Sequence, residues 1–129
     1  MAQDVVLVVD DDPDIRESLK DLLRLDGFEA TTAASGAEAL EILGDVPVGL
    51  VLLDLMMPIM SGRQVVEEMR RRGIQVPVIL LSAGRELLRA AEDLSLPALC
   101  KPFDLEELLS AVRKGLLGET PALKAPISG

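Results

Sequence analysis

The chain has 129 residues and a formal net charge of -9, from 13 Lys+Arg against 22 Asp+Glu, with no His, Trp or Tyr, one Cys and two Phe. Without imidazole, Ser/His/Asp and Cys/His triads, His-ligated metals and the commonest proton shuttle near neutral pH are all excluded. The acidic balance and scarcity of rings argue against direct nucleic-acid binding, and a lone Cys100 cannot close an internal disulfide.

Such a length fits one domain, and 49% hydrophobic residues suffice for a core. The start, Met1-Ala2-Gln3-Asp4, lacks the basic region of a signal peptide. The longest apolar stretches are too short to cross a bilayer. A cytoplasmic chain without membrane insertion is expected.

In chain order, apolar runs with little polar alternation predict buried parallel strands at Val5 to Val9, Phe28 to Ala33, Gly49 to Leu53, Val76 to Leu81 and Ala98 to Cys100. Helical periodicity separates them. Ile15, Leu19, Leu22 and Leu23 share one face, as do Val65, Val66 and Met69. Asp12 before Pro13 reads as an N-cap, Ser35 with Glu38 as a capping box, Ser61-Gly62 as the start of a third helix, and Asp104 with Glu107 as the start of the last. Gly27 and Gly73 mark helix ends, and Arg70, Arg71 and Arg72 sit where cations favour the helix dipole. This alternation predicts an α/β domain with a doubly wound, five-stranded parallel sheet covered by helices on both faces. The domain is expected to occupy residues 1–117, followed by a flexible tail over 118–129.

In such a sheet, ligands bind beyond the carboxyl ends of the strands. Asp10, Asp11 and Asp12 follow the first strand, Asp54 the third, Ser82 the fourth and Lys101 the fifth. Two carboxylates about 4 Å apart repel by about 4 kcal/mol at an effective dielectric near 20. A hard divalent cation with oxygen ligands, such as Mg²⁺, relieves that repulsion. Asp12 is accounted for by capping alone. Asp54 can be a metal ligand, a general base or a nucleophile toward phosphorus; a nearby ammonium and hydroxyl favour the nucleophile, because phosphoryl transfer needs mainly positioning and charge neutralisation.

The segments VVDDDPDIR (8 to 16), LLDLMMPIMSG (52 to 62), LLSAG (80 to 84) and CKPF (100 to 103) occur in order, each at a strand end. Together they resemble the receiver domain of two-component response regulators, over nearly the whole chain. The resemblance implies a flavodoxin-like fold with strand order 2-1-3-4-5. It implies that Asp54 accepts a phosphoryl group from a histidine kinase or a small phosphodonor. Asp11 would bind Mg²⁺ with Asp54 and the backbone carbonyl of Met56, Asp10 assisting directly or through water. Lys101 would pair with phosphoryl oxygens, its bond to Pro102 being cis, and Ser82 would bond the arriving phosphoryl group and draw its loop inward.

Two departures from the family pattern bear on output. Ala98 stands where an aromatic residue is expected to rotate with the hydroxyl switch. The segment from Ser82 to Lys101 is a few residues short, with Leu94-Ser95-Leu96-Pro97 replacing an Ala-Gly-Ala stretch, so a short, shifted or mobile fourth helix is expected near Glu86 to Asp93. The expected function is a stand-alone receiver, not an enzyme acting on an external metabolite, with a histidine kinase or phosphotransfer protein upstream and an unknown protein downstream. The alternatives are a phosphorylation-independent receiver-like binding module with an altered fourth helix, and a Mg²⁺-dependent aspartyl phosphohydrolase. The last is disfavoured by Met56, where such enzymes place a second Asp.

Overall fold

Strands and helices alternate five times in the computed structural model, which describes residues 5–118: β1 (Val5–Val9), α1 (Pro13–Leu25), β2 (Glu29–Ala33), α2 (Gly36–Asp45), β3 (Val48–Asp54), α3 (Gly62–Arg71), β4 (Val78–Ser82), α4 (Arg85–Leu94), β5 (Ala98–Cys100) and α5 (Leu105–Leu116). Apart from Gly118, the expected tail lies outside the described residues. All pairings are parallel and the order is β2-β1-β3-β4-β5, as the resemblance implied.

The lack of polar alternation in the strands has a direct cause: both faces of the sheet are covered. Val6, Val8, Leu50 and Leu52 face Leu19 and Leu23 of α1 and Leu108 and Val112 of α5. Leu7, Val9, Val51 and Leu53 face the other way, toward Leu40 of α2, Val65 and Met69 of α3 and Leu87 of α4. Each such Val or Leu contributes roughly 1.5–3 kcal/mol on burial. Two cores therefore press on β3 from opposite sides and fix the position of its last residue, Asp54.

Most caps follow the sequence reading. Asp12 accepts from the N–H groups of Asp14 and Ile15, and full capping boxes form at Ser61/Gln64 and Asp104/Glu107. At α2 the box is offset: Ser35 Oγ accepts from the Glu38 N–H, but Glu38 Oε1 accepts from the N–H of Ala34, one residue before the cap.

Three differences from expectation have physical reasons. β4 begins at Val78 rather than Val76, because Pro77 has no N–H to donate to a ladder; its carbonyl still accepts from Val51 at 2.9 Å. The fourth helix is not short: α4 has 10 residues, as many as α2 and α3. The turn after it is tight, with Ser95 left-handed (φ 57°) and the Leu96 N–H returning to Ala91 O, and β5 has the 3 residues expected, Ala98–Cys100. Nor do the three arginines serve only the helix dipole. Arg71 and Arg72 bond Glu68, whereas Arg70 reaches the carbonyl of Leu94 at the end of α4. Arg63 adds an ion pair to Asp93 at 3.0 Å, so α3 holds the C-terminal end of α4.

Candidate functional site

The parallel register brings four strand ends to one edge. Val9 pairs with Leu53, Asp54 with Leu81 and Ser82 with Cys100; Asp10 follows β1 and Lys101 follows β5 directly. Carboxylate oxygens of Asp10, Asp11 and Asp54 lie within 4.8 Å of one another. Asp10 is 1% exposed and Asp54 5%, while Asp11 faces solvent.

Asp10 is held from several sides. Its N–H donates to Ala33 O at 3.2 Å, its carbonyl accepts from Arg16 Nη1 at 3.0 Å, and its Oδ1 accepts from the Asp12 N–H at 2.9 Å. Its Oδ2 accepts from Lys101 Nζ at 3.3 Å, and the same ammonium lies 3.6 Å from Asp54 Oδ1. Lys101 is itself anchored by its N–H, which donates to Ser82 O at 2.7 Å, and its peptide bond to Pro102 is cis.

The backbone carrying Asp54 is clamped on two flanks. The Leu55 N–H donates to Leu81 O of β4, and Leu55 O accepts from the N–H of Gly62, each at 2.9 Å. Between these anchors the loop runs through Met56, 60% exposed, and Ile59, which takes φ 70° at the surface.

Burial pushes the Asp54 carboxyl up, and the neighbouring Asp10 carboxylate pushes it further, to about 6; Lys101 and the Met56 N–H pull the other way without cancelling the rise. One ammonium thus under-compensates the clustered carboxylates. An all-oxygen donor set with unneutralised negative charge fits a hard divalent cation, and a strand-end carboxylate destabilised in its charged form is suited to nucleophilic chemistry.

The structure brings together Asp10, Asp11, Asp54 and Lys101, and leaves Asp12 as a cap. Ser82 is buried at the same edge, but its Oγ points to Ala83 O at 3.5 Å, a weak hydrogen bond that leaves the hydroxyl loosely held. Met56 touches the site through its backbone N–H. Ala98 pairs with Leu80 and packs against the core beneath α4; it belongs to that core and not to the carboxylate cluster. Sequence reasoning missed Arg16, visible only as a helical residue one turn past the Asp12 cap. It also read Gly62 solely as a helix start, since no local pattern shows that residue 62 returns to residue 54.

Comparison with known proteins agrees with this geometry. The family described as response regulator receiver domain matches residues 6–113. The regulatory protein AtoC of Escherichia coli (strain K12) is 39% identical over 114 residues, 86% of this chain and 25% of that protein. The response regulator MprA of Mycolicibacterium vanbaalenii is 38% identical over 119 residues, 90% of this chain and 52% of that protein. The chain therefore spans about a quarter to about half the length of these relatives. Among solved structures, the receiver domain of the Francisella response regulator 1452 superimposes with a TM-score of 0.81 at 31% identity, covering 89% of this chain and 98% of that one. The response regulator TrrA of Thermotoga maritima, solved in complex with Mg²⁺-BeF, gives 0.78 at 36% identity, covering 89% and 99%.

Proposed function

Because the chain belongs to the response regulator receiver domain family, we propose that it is a phosphorylation-dependent signalling switch whose phosphoacceptor is Asp54. The observation that carries this reading is the convergence of Asp10, Asp11 and Asp54 within 4.8 Å, with Lys101 Nζ 3.6 Å from Asp54 Oδ1.

In the proposed step, a carboxylate oxygen of Asp54 forms a bond to phosphorus. The P–N bond of a phosphohistidine, or the P–O bond of acetyl phosphate, breaks, and the leaving imidazole or acetate takes the electron pair. Asp10, Asp11, Asp54 and the Met56 carbonyl would hold Mg²⁺, which when bound neutralises carboxylate and phosphoryl oxygen charge. Lys101 pairs with a phosphoryl oxygen once Asp54 has become an acyl phosphate. Ser82, loosely bonded at rest, turns its hydroxyl to the phosphoryl group and draws the 82–84 loop inward.

The 129 residues contain no His, so a phosphohistidine donor is assigned to a kinase or phosphotransfer domain outside them, and the readout to a contact with a further protein. Apart from the phosphodonor itself, the proposed chemistry consumes no external metabolite. No helix among the described residues is long and apolar enough to cross a membrane; the proposed setting is the cytoplasm.

Incubation with Mg²⁺ and acetyl phosphate, followed by intact mass measurement, is expected to show one added phosphoryl group on the wild type and none on Asp54→Asn. A wild type that stays unlabelled, under conditions that label another receiver and with candidate kinases, would instead be a phosphorylation-independent binding module. Sustained consumption of phosphodonor far beyond one equivalent would indicate a phosphohydrolase.

A further inference from the structure

Gly62 sits where a side chain would strike the backbone that carries Asp54. A Cβ placed on it would lie 2.7 Å from Asp54 O and 2.8 Å from Leu55 Cα. Both are main-chain atoms, so no rotamer change relieves the overlap. The residue is also the first of α3, and its N–H donates to Leu55 O at 2.9 Å. Its dihedral angle is not what demands glycine, because it lies outside the positive-φ group formed by Gly27, Gly73, Gly84 and Gly118. Close approach alone demands it.

The opposite flank of the same peptide is fixed by the Leu55 N–H to Leu81 O bond. Asp54 is therefore held between β4 and the first turn of α3, with the Ser61/Gln64 capping box keeping that turn in place. Displacing the peptide on the α3 side moves the base from which the Asp54 carboxylate projects. That carboxylate must meet Asp10 and Asp11 within 4.8 Å.

We propose that Gly62 is a positioning residue for the phosphoacceptor: by admitting α3 onto the Asp54–Leu55 backbone, it sets the spacing of the three carboxylates and with it the affinity for Mg²⁺. This rests on the function proposed above. Gly115 provides a matched control, since a Cβ there would meet Leu50 Cδ1 at 2.8 Å, as tight a contact but against a side chain in the core, away from the site.

Amide NMR spectra report folding and Mg²⁺ binding in one titration, without phosphodonor. Gly62→Ala is expected to keep a dispersed spectrum and bind Mg²⁺ about tenfold or more weakly, as for other residues that orient metal ligands, whereas Gly115→Ala binds within about twofold of wild type. Equal weakening in both variants, or none in Gly62→Ala, overturns the proposal. A second measurement needs no variant. If Mg²⁺ binds only while the Gly62 contact is closed, exchange protection of the Gly62 amide in wild type rises about elevenfold at free Mg²⁺ of ten times Kd, while that of Gly118, just past the C-cap of α5, stays constant. Unchanged protection at Gly62 also overturns the proposal. Failure of the wild type to bind Mg²⁺ at all would instead remove the function on which it rests.

Discussion

Lys101 lies closer to Asp10 than to Asp54: its ammonium is 3.3 Å from Asp10 Oδ2 and 3.6 Å from Asp54 Oδ1. At rest this cation offsets charge in the pocket and leaves Asp54 only partly satisfied. On the function proposed above, it would pass from a carboxylate to a phosphoryl oxygen with little movement.

Lys101→Ala removes the one ammonium that, among the described residues, contacts the cluster, while leaving all three carboxylates. Mg²⁺ affinity is expected to be at least as high as in wild type, because a competing cation is gone. Labelling by acetyl phosphate is expected to fall about tenfold or more, since a preplaced charge at the transferring group is lost. Amide titration with Mg²⁺ and intact mass time courses check the two halves; loss of Mg²⁺ binding would place Lys101 in a different role.

Stability without Mg²⁺ is expected to depend on pH through Asp54. Its carboxyl is harder to ionise folded, at about 6, than unfolded, at 3.8. The protonated form therefore favours folding: that contribution is full below 3.8 and is lost as pH rises through about 6. Asp54→Asn escapes the loss and is expected to be more stable than wild type by about 1–3 kcal/mol at pH 7, after allowance for solvent screening. Urea midpoints of the two proteins should converge as pH falls toward 4, and Mg²⁺ should narrow the gap at pH 7 by binding the wild type more tightly.

Asp12→Ala distinguishes capping from ligation. Asp12 Oδ1 accepts from the N–H groups of Asp14 and Ile15, so the variant should lose about 1 kcal/mol. The bond from the Asp12 N–H to Asp10 is main-chain and survives the change. Mg²⁺ affinity should stay within about threefold of wild type; a larger drop in titration would make Asp12 part of the cation site.

The two ends of α4 are held differently. Gly84, at φ 84°, supplies no side-chain cap at the N-terminus, while Arg63 and Arg70 grip the C-terminus. Amide exchange is expected to be faster over residues 85–88 than over 91–94, and Arg63→Ala should speed exchange at the latter. On phosphorylation, protection should change first at residues 82–88. Uniform exchange along the helix would contradict this.

Much of this site was legible because its residues sit at sequence boundaries. A hydrophobic run ending in Asp54 announces a strand end, and registers in a parallel sheet carry strand ends to one edge. Asp10, Asp11 and Lys101 follow by the same logic. What was not legible depends on distance in space rather than along the chain. The full length of α4 was not legible because its end is set by a left-handed Ser95, a backbone conformation that no local residue pattern announces. The contact of Gly62 with Asp54 joins residues eight apart across an irregular loop, where no periodicity operates. Arg70 looked like a dipole partner because its bond to Leu94 crosses between helices.

Gly62 and Arg63 are consecutive. The first touches the backbone of Asp54, and the second is paired with Asp93. A single turn of α3 therefore joins the Asp54 backbone to the C-terminal end of α4, by contacts that involve neither Ser82 nor β5. Ala98 meets the core through its pairing with Leu80, so the contacts that join Asp54 to α4 through α3 do not depend on the side chain at 98.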